Sequence, residues 1–500
     1  VSTPHPAAHG NRPAARPPAS SKLLGSSDPA RQVALDLLAA VRGRGAYANL
    51  LLPELLRRRR ITGRDAALAT ELGYGACRAA GLLDAVVQAC LNRPLAAVDP
   101  DLTDALRLGA YQLLRTRIPS HAAVATTVEL VRTSRGRRAA GFVNAVLRRV
   151  AERDEAAWVR QLAPDPAADP IGFLAFAHAH PRWAAEAFHQ ALGGDGADRM
   201  ADPRTGPSAG PLAELAAALA ADNEPPTVHL AARPGVLSAA ELAAITGGEP
   251  APYSPYGVRL GDAAARLFGN GGDDGGEDGG RDGPDVLRDG LASVQDEGSQ
   301  LVTLALAGAP LDGPDRGRWL DLCAGPGGKA VLLGALAGLQ GGSLDAVERA
   351  EHRARLVERA CAELAVRVHV ADARASGLPD GAFDRVLVDV PCSGLGALRR
   401  RPEARWRRTP DDLPGLTRLQ GELLAAGLRL VRPGGVLGYV TCSPHRAETV
   451  DVLATVTGAT PLDARQLMPG VPLLGVGPHV QLWPHRHGTD AMFCALLRRH

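Results

Sequence analysis

Residues 318–339 read RWLDLCAGPGGKAVLLGALAGL, and the break inside this stretch decides the fold. An apolar run from Trp319 to Cys323 stops on Gly325, Pro326, Gly327 and Gly328 and resumes as an apolar helix. That pattern predicts a buried strand turning sharply into a helix N-terminus, where bare backbone N–H groups meet a ligand and missing Cβ atoms let it come close. The nearest rival is a phosphate-binding P-loop, G-x-x-x-x-G-K-[ST]. It fails here because Cys323 stands at its first glycine and Ala330 replaces its Mg²⁺-binding hydroxyl. A tight turn without a ligand is the plainest alternative for one glycine cluster, so the downstream residues must decide between the two.

Downstream of Arg318, strand-like and helical segments alternate, the pattern of a parallel sheet covered on both faces. Strands are expected at Trp319–Cys323, Ser343–Glu348, Val366–Ala371, Arg385–Val390 and Val436–Cys442. Ligands of such sheets sit at the carboxyl ends of the strands. Those ends carry the glycine turn, Glu348, Asp372, Asp389 and Cys442. Glu348 closes the second strand, where an acid accepts hydrogen bonds from ribose hydroxyls, and Asp372 closes the third, in reach of an adenine amino group. A single such acid is ordinarily a solvated loop carboxylate or a helix cap. The set together describes a pocket for an adenosine-bearing cofactor without a pyrophosphate, since no second glycine-rich loop is evident. Cys392, in Asp389-Val390-Pro391-Cys392-Ser393-Gly394, and Cys442, in Thr441-Cys442-Ser443-Pro444, each come just after an apolar strand. A cysteine there is usually a small core hydrophobe, but two of them flanked by Pro and Ser at the binding edge point to reactive thiols.

The rest of the chain bounds the partners. Five hundred residues suffice for two to four domains. A net charge of +2 predicts no nucleic-acid partner by itself, yet basic residues cluster at Arg57–Arg60, Arg135–Arg138 and Arg399–Arg408. Seven scattered cysteines without a C-x-x-C pair, and no secretory signal or long uncharged apolar run, fit a reduced, cytoplasmic setting with no membrane contact. No metal site is read. Residues 1–27, rich in Pro, Ala and Ser, are expected to be a disordered tail. Residues 28–160 carry apolar positions at three- and four-residue spacing and predict an all-α domain. Residues 161–300 are expected to form a small α+β module, with strands near Thr227–Ala232 and Tyr256–Leu260. Gly269–Asp285 is a low-complexity acidic insertion too poor in apolar residues to pack. A calcium-binding repeat is its alternative reading, but the strict period is missing. Residues 301–500 form the α/β domain.

Phrases in both halves carry a resemblance. Ala46-Tyr47-Ala48-Asn49, Gly73-Tyr74-Gly75, Leu106-Arg107-Leu108-Gly109-Ala110-Tyr111 and Phe142-Val143-Asn144-Ala145-Val146-Leu147-Arg148 resemble the NusB family of RNA-binding helical domains. CAGPGGKA (323–330), DVPCSGLG (389–396), RRRPEARWRR (399–408), TCSPHRAE (441–448) and His487-Gly488-Thr489-Asp490-Ala491-Met492-Phe493 are similar to the motifs of the RNA 5-methylcytosine methyltransferases of the RsmB/Sun (RsmB/NOP) type. The resemblance implies a Rossmann-like class I methyltransferase domain behind the NusB-like domain and the linker module. It implies S-adenosylmethionine held by Cys323, Ala324, Gly325, Pro326, Gly327, Gly328, Lys329, Glu348, Asp372 and Asp389, and 16S rRNA, free or early in assembly, as substrate, with no obligate protein partner. Cys442 is then the nucleophile on cytosine C6 and Cys392 an aid to product release. Asp389 hydrogen-bonds the N3/N4 edge, while the arginines of 399–408 pair with phosphates and Trp406 stacks on a base. Two departures stand out: Glu348, where the family more often has Asp, and His229–Arg233 (HLAAR), which lacks the usual Arg-Val-Asn. Two other functions compete: a non-catalytic NusB-like RNA-binding factor for transcription or ribosome assembly, and the same chemistry on transfer RNA. The first reading requires the two thiols to face one pyrimidine together.

Overall fold

The structure, a computed structural model, describes residues 28–194, 210–261 and 285–500. The expected tail and all of the glycine and aspartate insertion except Asp285 lie outside the described residues.

The N-terminal part is helical: α1 (Pro29–Arg44), α2 (Ala48–Arg59), α3 (Gly63–Arg78), α4 (Ala80–Ala89), α5 (Pro100–Arg115), α6 (Ser120–Arg135) and α7 (Arg137–Val150). The start of α1 is dictated by its sequence. Pro29 supplies a preset φ at the first turn and the Asp28 carboxylate accepts the Arg31 N–H, while Gly45 in a left-handed conformation ends the helix. The helices pack through Leu72, Leu83, Val86, Leu106, Val143 and Leu147. Two of the phrases that carried the NusB resemblance meet in packing. Tyr111 of α5 lies across Gly75 of α3, so close that a Cβ on Gly75 would stand 2.0 Å from its ring, and its hydroxyl donates to Glu71.

The expected α+β module divides in two. Helices Pro170–Ala177, Arg182–Ala191 and Pro211–Ala221 pack through Phe188 and Leu215 on Leu395, Leu398 and Trp483 of the C-terminal domain. A separate four-stranded antiparallel sheet, order β2-β3-β1-β4, is formed by β1 (His229–Ala232), β2 (Glu249–Pro250), β3 (Gly257–Arg259) and β4 (Ala292–Val294) and is covered by helix Ala239–Thr246. The physical reason is reach: the apolar faces of the three helices match the domain behind them, whereas the small sheet buries its own Leu230, Val258 and Leu242. Arg233, within HLAAR, ties the sheet to the large domain by donating to Glu363 at 2.8 Å.

The C-terminal sheet has eight strands: β5 (Arg318–Asp321), β6 (Ser343–Glu348), β7 (Val366–Val370), β8 (Phe383–Asp389), β9 (Val431–Thr441), β10 (Ala459–Leu462), β11 (Val480–Gln481) and β12 (Phe493–Arg499). Their order is β10-β12-β9-β8-β5-β6-β7, with β11 beside β12. The five expected strands are parallel, as the alternation predicted, but β12 runs antiparallel to β9, β10 and β11, so the sheet is mixed. Alternate residues of β5 serve opposite faces: Trp319 packs with helices Glu297–Gly308 and Gly328–Leu339, Leu320 with helix Leu413–Leu430. Burying each such side chain contributes about 1.5–3 kcal/mol. Strand order turns back between β5 and β8, which opens a crevice at their carboxyl ends.

Candidate active site

The expected cofactor and catalytic residues end or follow the carboxyl ends of β5, β6, β7, β8 and β9. The turn after β5 brings Gly327, at φ +119°, to the N-cap of helix Gly328–Leu339. That backbone region is open to glycine and strained for residues with a Cβ. Gly325 is required for a different reason, since a Cβ on it would lie 2.1 Å from the Glu348 carboxylate. Glu348, at the end of β6, is 7% exposed, accepts the Ala350 N–H at 2.8 Å and lies 3.5 Å from the Arg353 guanidinium, which in turn donates to the Gly325 carbonyl. Glu348 thus stands against the glycine turn. Gln295 covers the other side of the helix start, its Cγ 3.8 Å from where a Gly328 Cβ would be. It is buried, and neither atom of its amide has a hydrogen-bond partner among the described residues. A turn closed to a Cβ at Gly325 and Gly327 and an orphaned amide beside the helix start fit a ligand with a polar, partly anionic end.

Asp372 lies just beyond β7 and is more committed than its sequence position suggested. Its carboxylate accepts from Nε and a terminal nitrogen of Arg374 at 3.0 and 2.7 Å, which holds its pKa down at about 2. It keeps further lone pairs for a donor. Asp389 ends β8 and accepts from Lys329 Nζ at 2.7 Å, joining the glycine turn to the next strand. Asp321, unremarked in the sequence, is 1% exposed between them, and burial followed by the charge of Asp389 raises its pKa to about 7. An acid inside an otherwise apolar strand was the available signal. Burial, then Asp321, likewise pushes the Cys323 thiol up, so Cys323 lines the turn as a neutral group.

The two cysteines are brought together. β8 and β9 are parallel neighbours with Asp389 opposite Val440, so the loops beyond them leave the sheet side by side. Cys392 Sγ and Cys442 Sγ lie 3.3 Å apart. The contact makes the pair unequal. Hydrogen bonding from Cys392 lowers the Cys442 pKa, with Arg401 and Lys329 adding to it against burial and Asp389. Cys392 is raised well above the thiol range, first by that same contact and then by burial. Both directions place the shared proton on Cys392 and favour the thiolate on Cys442.

Beneath the sulfurs lies a polar network that the sequence reading missed. Glu448, fully buried, accepts from Ser393 N at 2.7 Å, Ser393 Oγ at 2.5 Å, Ser443 Oγ at 2.6 Å and Gln420 Nε2 at 3.0 Å. Gly396 adds a third strap, its N–H donating to the Cys442 carbonyl and its carbonyl accepting from Ala491 of the 487–493 motif, both at 2.8 Å.

The arginine motif is a correction. Residues 399–408 were expected to hold RNA through their guanidinium groups and Trp406. Instead Arg399 and Arg400 pair with Asp490, and Arg400 also with Asp296, while Arg405, 1% exposed, donates to the carbonyls of Ala179 and Asp222 and to Asn223 Oδ1. Trp406 stands against Gly81 at the start of α4 and donates to the Arg78 carbonyl at 2.9 Å. Charge runs are solvated faces only where nothing packs on them, and here the helical domains do. Arg401 and Arg407 are the exposed members of the arginine set.

The geometry has parallels among known proteins. Residues 309–498 match the family described as 16S rRNA methyltransferase RsmB/F, and residues 28–152 match the NusB family. A protein of Mycobacterium tuberculosis named as a methyltransferase, Rv1407, is 56% identical over 94% of this chain and 97% of its own length. The ribosomal RNA small subunit methyltransferase B of Pseudomonas putida is 33% identical over 87% of this chain and 90% of its own. The crystal structure of PH0851 superposes with a TM-score of 0.69 over 94% of this chain and 99% of that one at 21% identity, a likeness of fold. The chain belongs to the RsmB/F family of 16S rRNA methyltransferases, with a NusB-family domain at its N-terminal end.

Proposed function

We propose that this protein methylates C5 of one cytosine in 16S rRNA, with S-adenosylmethionine as methyl donor and a covalent bond between Cys442 and C6 of the base. The observation that carries the reading is the 3.3 Å contact between Cys392 and Cys442 at the ends of adjacent parallel strands, beside the glycine turn. The turn Cys323–Lys329, with Glu348 toward the ribose, Asp372 toward the adenine, Asp389 and the orphaned Gln295 amide, would hold the cofactor. When bound, it supplies an electrophilic methyl group on a sulfonium. C5 of cytosine is a poor nucleophile. Addition of the Cys442 thiolate to C6 breaks the C5–C6 double bond and leaves an enamine whose C5 can attack. Asp389, oriented by Lys329, accepts from the N4 amino edge and so fixes the base as charge builds in the ring. A base must then take the C5 proton, so that the C–H electron pair re-forms the C5–C6 double bond as Cys442 leaves as thiolate; Cys392 is the group placed to promote this step, through a water that carries the proton away. The base must be unstacked or in a loop, which costs about a few kcal/mol and is offset by phosphate contacts. The exposed arginines of the N-terminal domain, Arg57, Arg58, Arg60, Arg137 and Arg138, support that part of the reading.

The test is transfer of a labelled methyl group to 16S rRNA by the purified protein, with nucleoside analysis and mapping of the product. A single 5-methylcytosine in 16S rRNA is the expected product; label in transfer RNA, or on another atom, overturns the assignment. A second prediction concerns the cradle. Gly325→Ala drives a methyl into Glu348 and is expected to weaken S-adenosylmethionine binding more than about tenfold, roughly 1.4 kcal/mol, with the fold intact. Calorimetry checks it, and unchanged affinity would remove Glu348 and the turn from the cofactor site.

A further inference from the structure

Glu448 is fully buried, and its four donors, Ser393 N, Ser393 Oγ, Ser443 Oγ and Gln420 Nε2, are all neutral. Sequestering a carboxylate is costly unless hydrogen bonds compensate it, so this group is held in place by the surrounding loops. Two of the residues it holds are informative: Ser393 adjoins Cys392 and Ser443 adjoins Cys442. The serine hydroxyl oxygens lie 3.1 Å apart, directly paralleling the 3.3 Å contact of the sulfurs. The scaffold is itself anchored. Gln420, from helix Leu413–Leu430, also donates to the Pro391 carbonyl at 2.9 Å, and Tyr439 of β9 donates to the Glu448 carbonyl at 2.7 Å. The Glu448 carboxylate therefore clamps both cysteine loops to a helix, and its backbone carbonyl ties the same residue to a central strand.

We propose, resting on the two-cysteine reading above, that Glu448 is a positioning residue for the thiol pair. By binding the neighbour of each cysteine it keeps the sulfurs in contact, and by its charge it keeps their shared proton on Cys392. The charges around the pair are arranged for this. The negative charge of Glu448 bears on Cys392, whereas Lys329 and Arg401 bear on Cys442 and oppose Asp389 there; Tyr439 faces the Cys392 side as a neutral phenol. A thiol on Cys392 donating to a thiolate on Cys442 is the polarity that addition to C6 requires. The reverse polarity would spend the nucleophile on the wrong sulfur.

The test uses the full chain without RNA. Iodoacetamide alkylation of each cysteine, resolved by peptide mass spectrometry as a function of pH, reports which sulfur is the thiolate. The unsubstituted protein is expected to alkylate at Cys442 ahead of Cys392. In Glu448→Gln that preference is expected to fall about tenfold and the pH midpoint of Cys442 to move up, with kcat falling about tenfold or more and KM for 16S rRNA unchanged. Glu448→Asp, which keeps the charge, is expected to retain the midpoint while losing part of kcat. If Glu448→Gln does not fold, judged by S-adenosylmethionine binding, the Ser393→Ala, Ser443→Ala double variant takes its place, with loss of the Cys442 preference expected. An unchanged preference and midpoint in the folded variant overturn the proposal. Because alkylation needs neither RNA nor turnover, a protein that does not methylate 16S rRNA but still loses its Cys442 preference in Glu448→Gln separates failure of the functional reading from failure of this one.

Discussion

Replacing Cys442 with alanine is expected to lower methyl transfer to 16S rRNA by more than about 10⁴-fold, because without a thiolate on C6 the C5 carbon has no electrons to offer. Cys392→Ala has a different expected signature. The nucleophile survives, addition and transfer proceed, and release stalls, so a covalent protein–RNA species accumulates that resists denaturing electrophoresis. The variant also removes the donor that lowers the Cys442 pKa. Formation of the adduct should therefore need a higher pH than in the unsubstituted protein: the thiolate fraction falls as pH drops through the Cys442 pKa, and that pKa moves up when Cys392 is gone. The two alanine variants together distinguish this assignment from its mirror image, in which the Pro-Cys thiol attacks. Were Cys392→Ala the dead variant and Cys442→Ala the trapped one, the roles would be exchanged. Normal turnover by Cys442→Ala would end the covalent reading altogether.

The elements that build this site were legible for specific reasons. The apolar run into Gly325-Pro326-Gly327-Gly328 marks a strand entering a helix through a sharp turn, and the acids at 348, 372 and 389 come at strand-to-strand spacing. Adjacency of β8 and β9 was not legible, because strand order is set by crossover packing and not by sequence order, and the 3.3 Å thiol contact depends on it. Three antiparallel pairings at the far edge went unread since β10 and β11 are short and β12 closes the chain. Glu448 lies six residues past Cys442 in a polar turn, where an acid ordinarily meets solvent; only its burial reveals that it answers to two serines. Arginines 399–408 misled most. Charge density does not report exposure, and a guanidinium with five donors can satisfy buried carbonyls as readily as phosphates.

That misreading leads to the largest expected effect on stability. Arg405 is the fully buried cation at the junction of the helical segments with the catalytic domain, reaching the carbonyls of Ala179 and Asp222 and the side chain of Asn223 at 2.7–3.1 Å. Ala179 holds a left-handed backbone, φ +55°, which for a residue with a Cβ costs about 1–2 kcal/mol and needs an external tie. Beside it, the Asp222 carboxyl is raised to about 7 by burial and pulled back by Arg405. Arg405→Ala leaves these acceptors without their donor and the carboxyl without the largest of its countercharges, a loss of about 3–5 kcal/mol by analogy with other broken buried pairs. The loss should be local, because a chain of several domains does not unfold as one unit. Amide hydrogen exchange is the measurement: protection in helices Arg182–Ala191 and Pro211–Ala221 should fall by that amount, while the strands β5, β8 and β9 keep theirs. Arg405→Lys cannot span all three acceptors and should recover only part of it. Since Trp406 and Arg407 continue from Arg405 onto the Arg78 and Ala46 carbonyls, the same change should loosen the N-terminal domain from the catalytic one and raise KM for 16S rRNA without moving the Cys442 pH midpoint. A change in that protection of less than about 1 kcal/mol would show that the guanidinium is carried by its surroundings and not they by it.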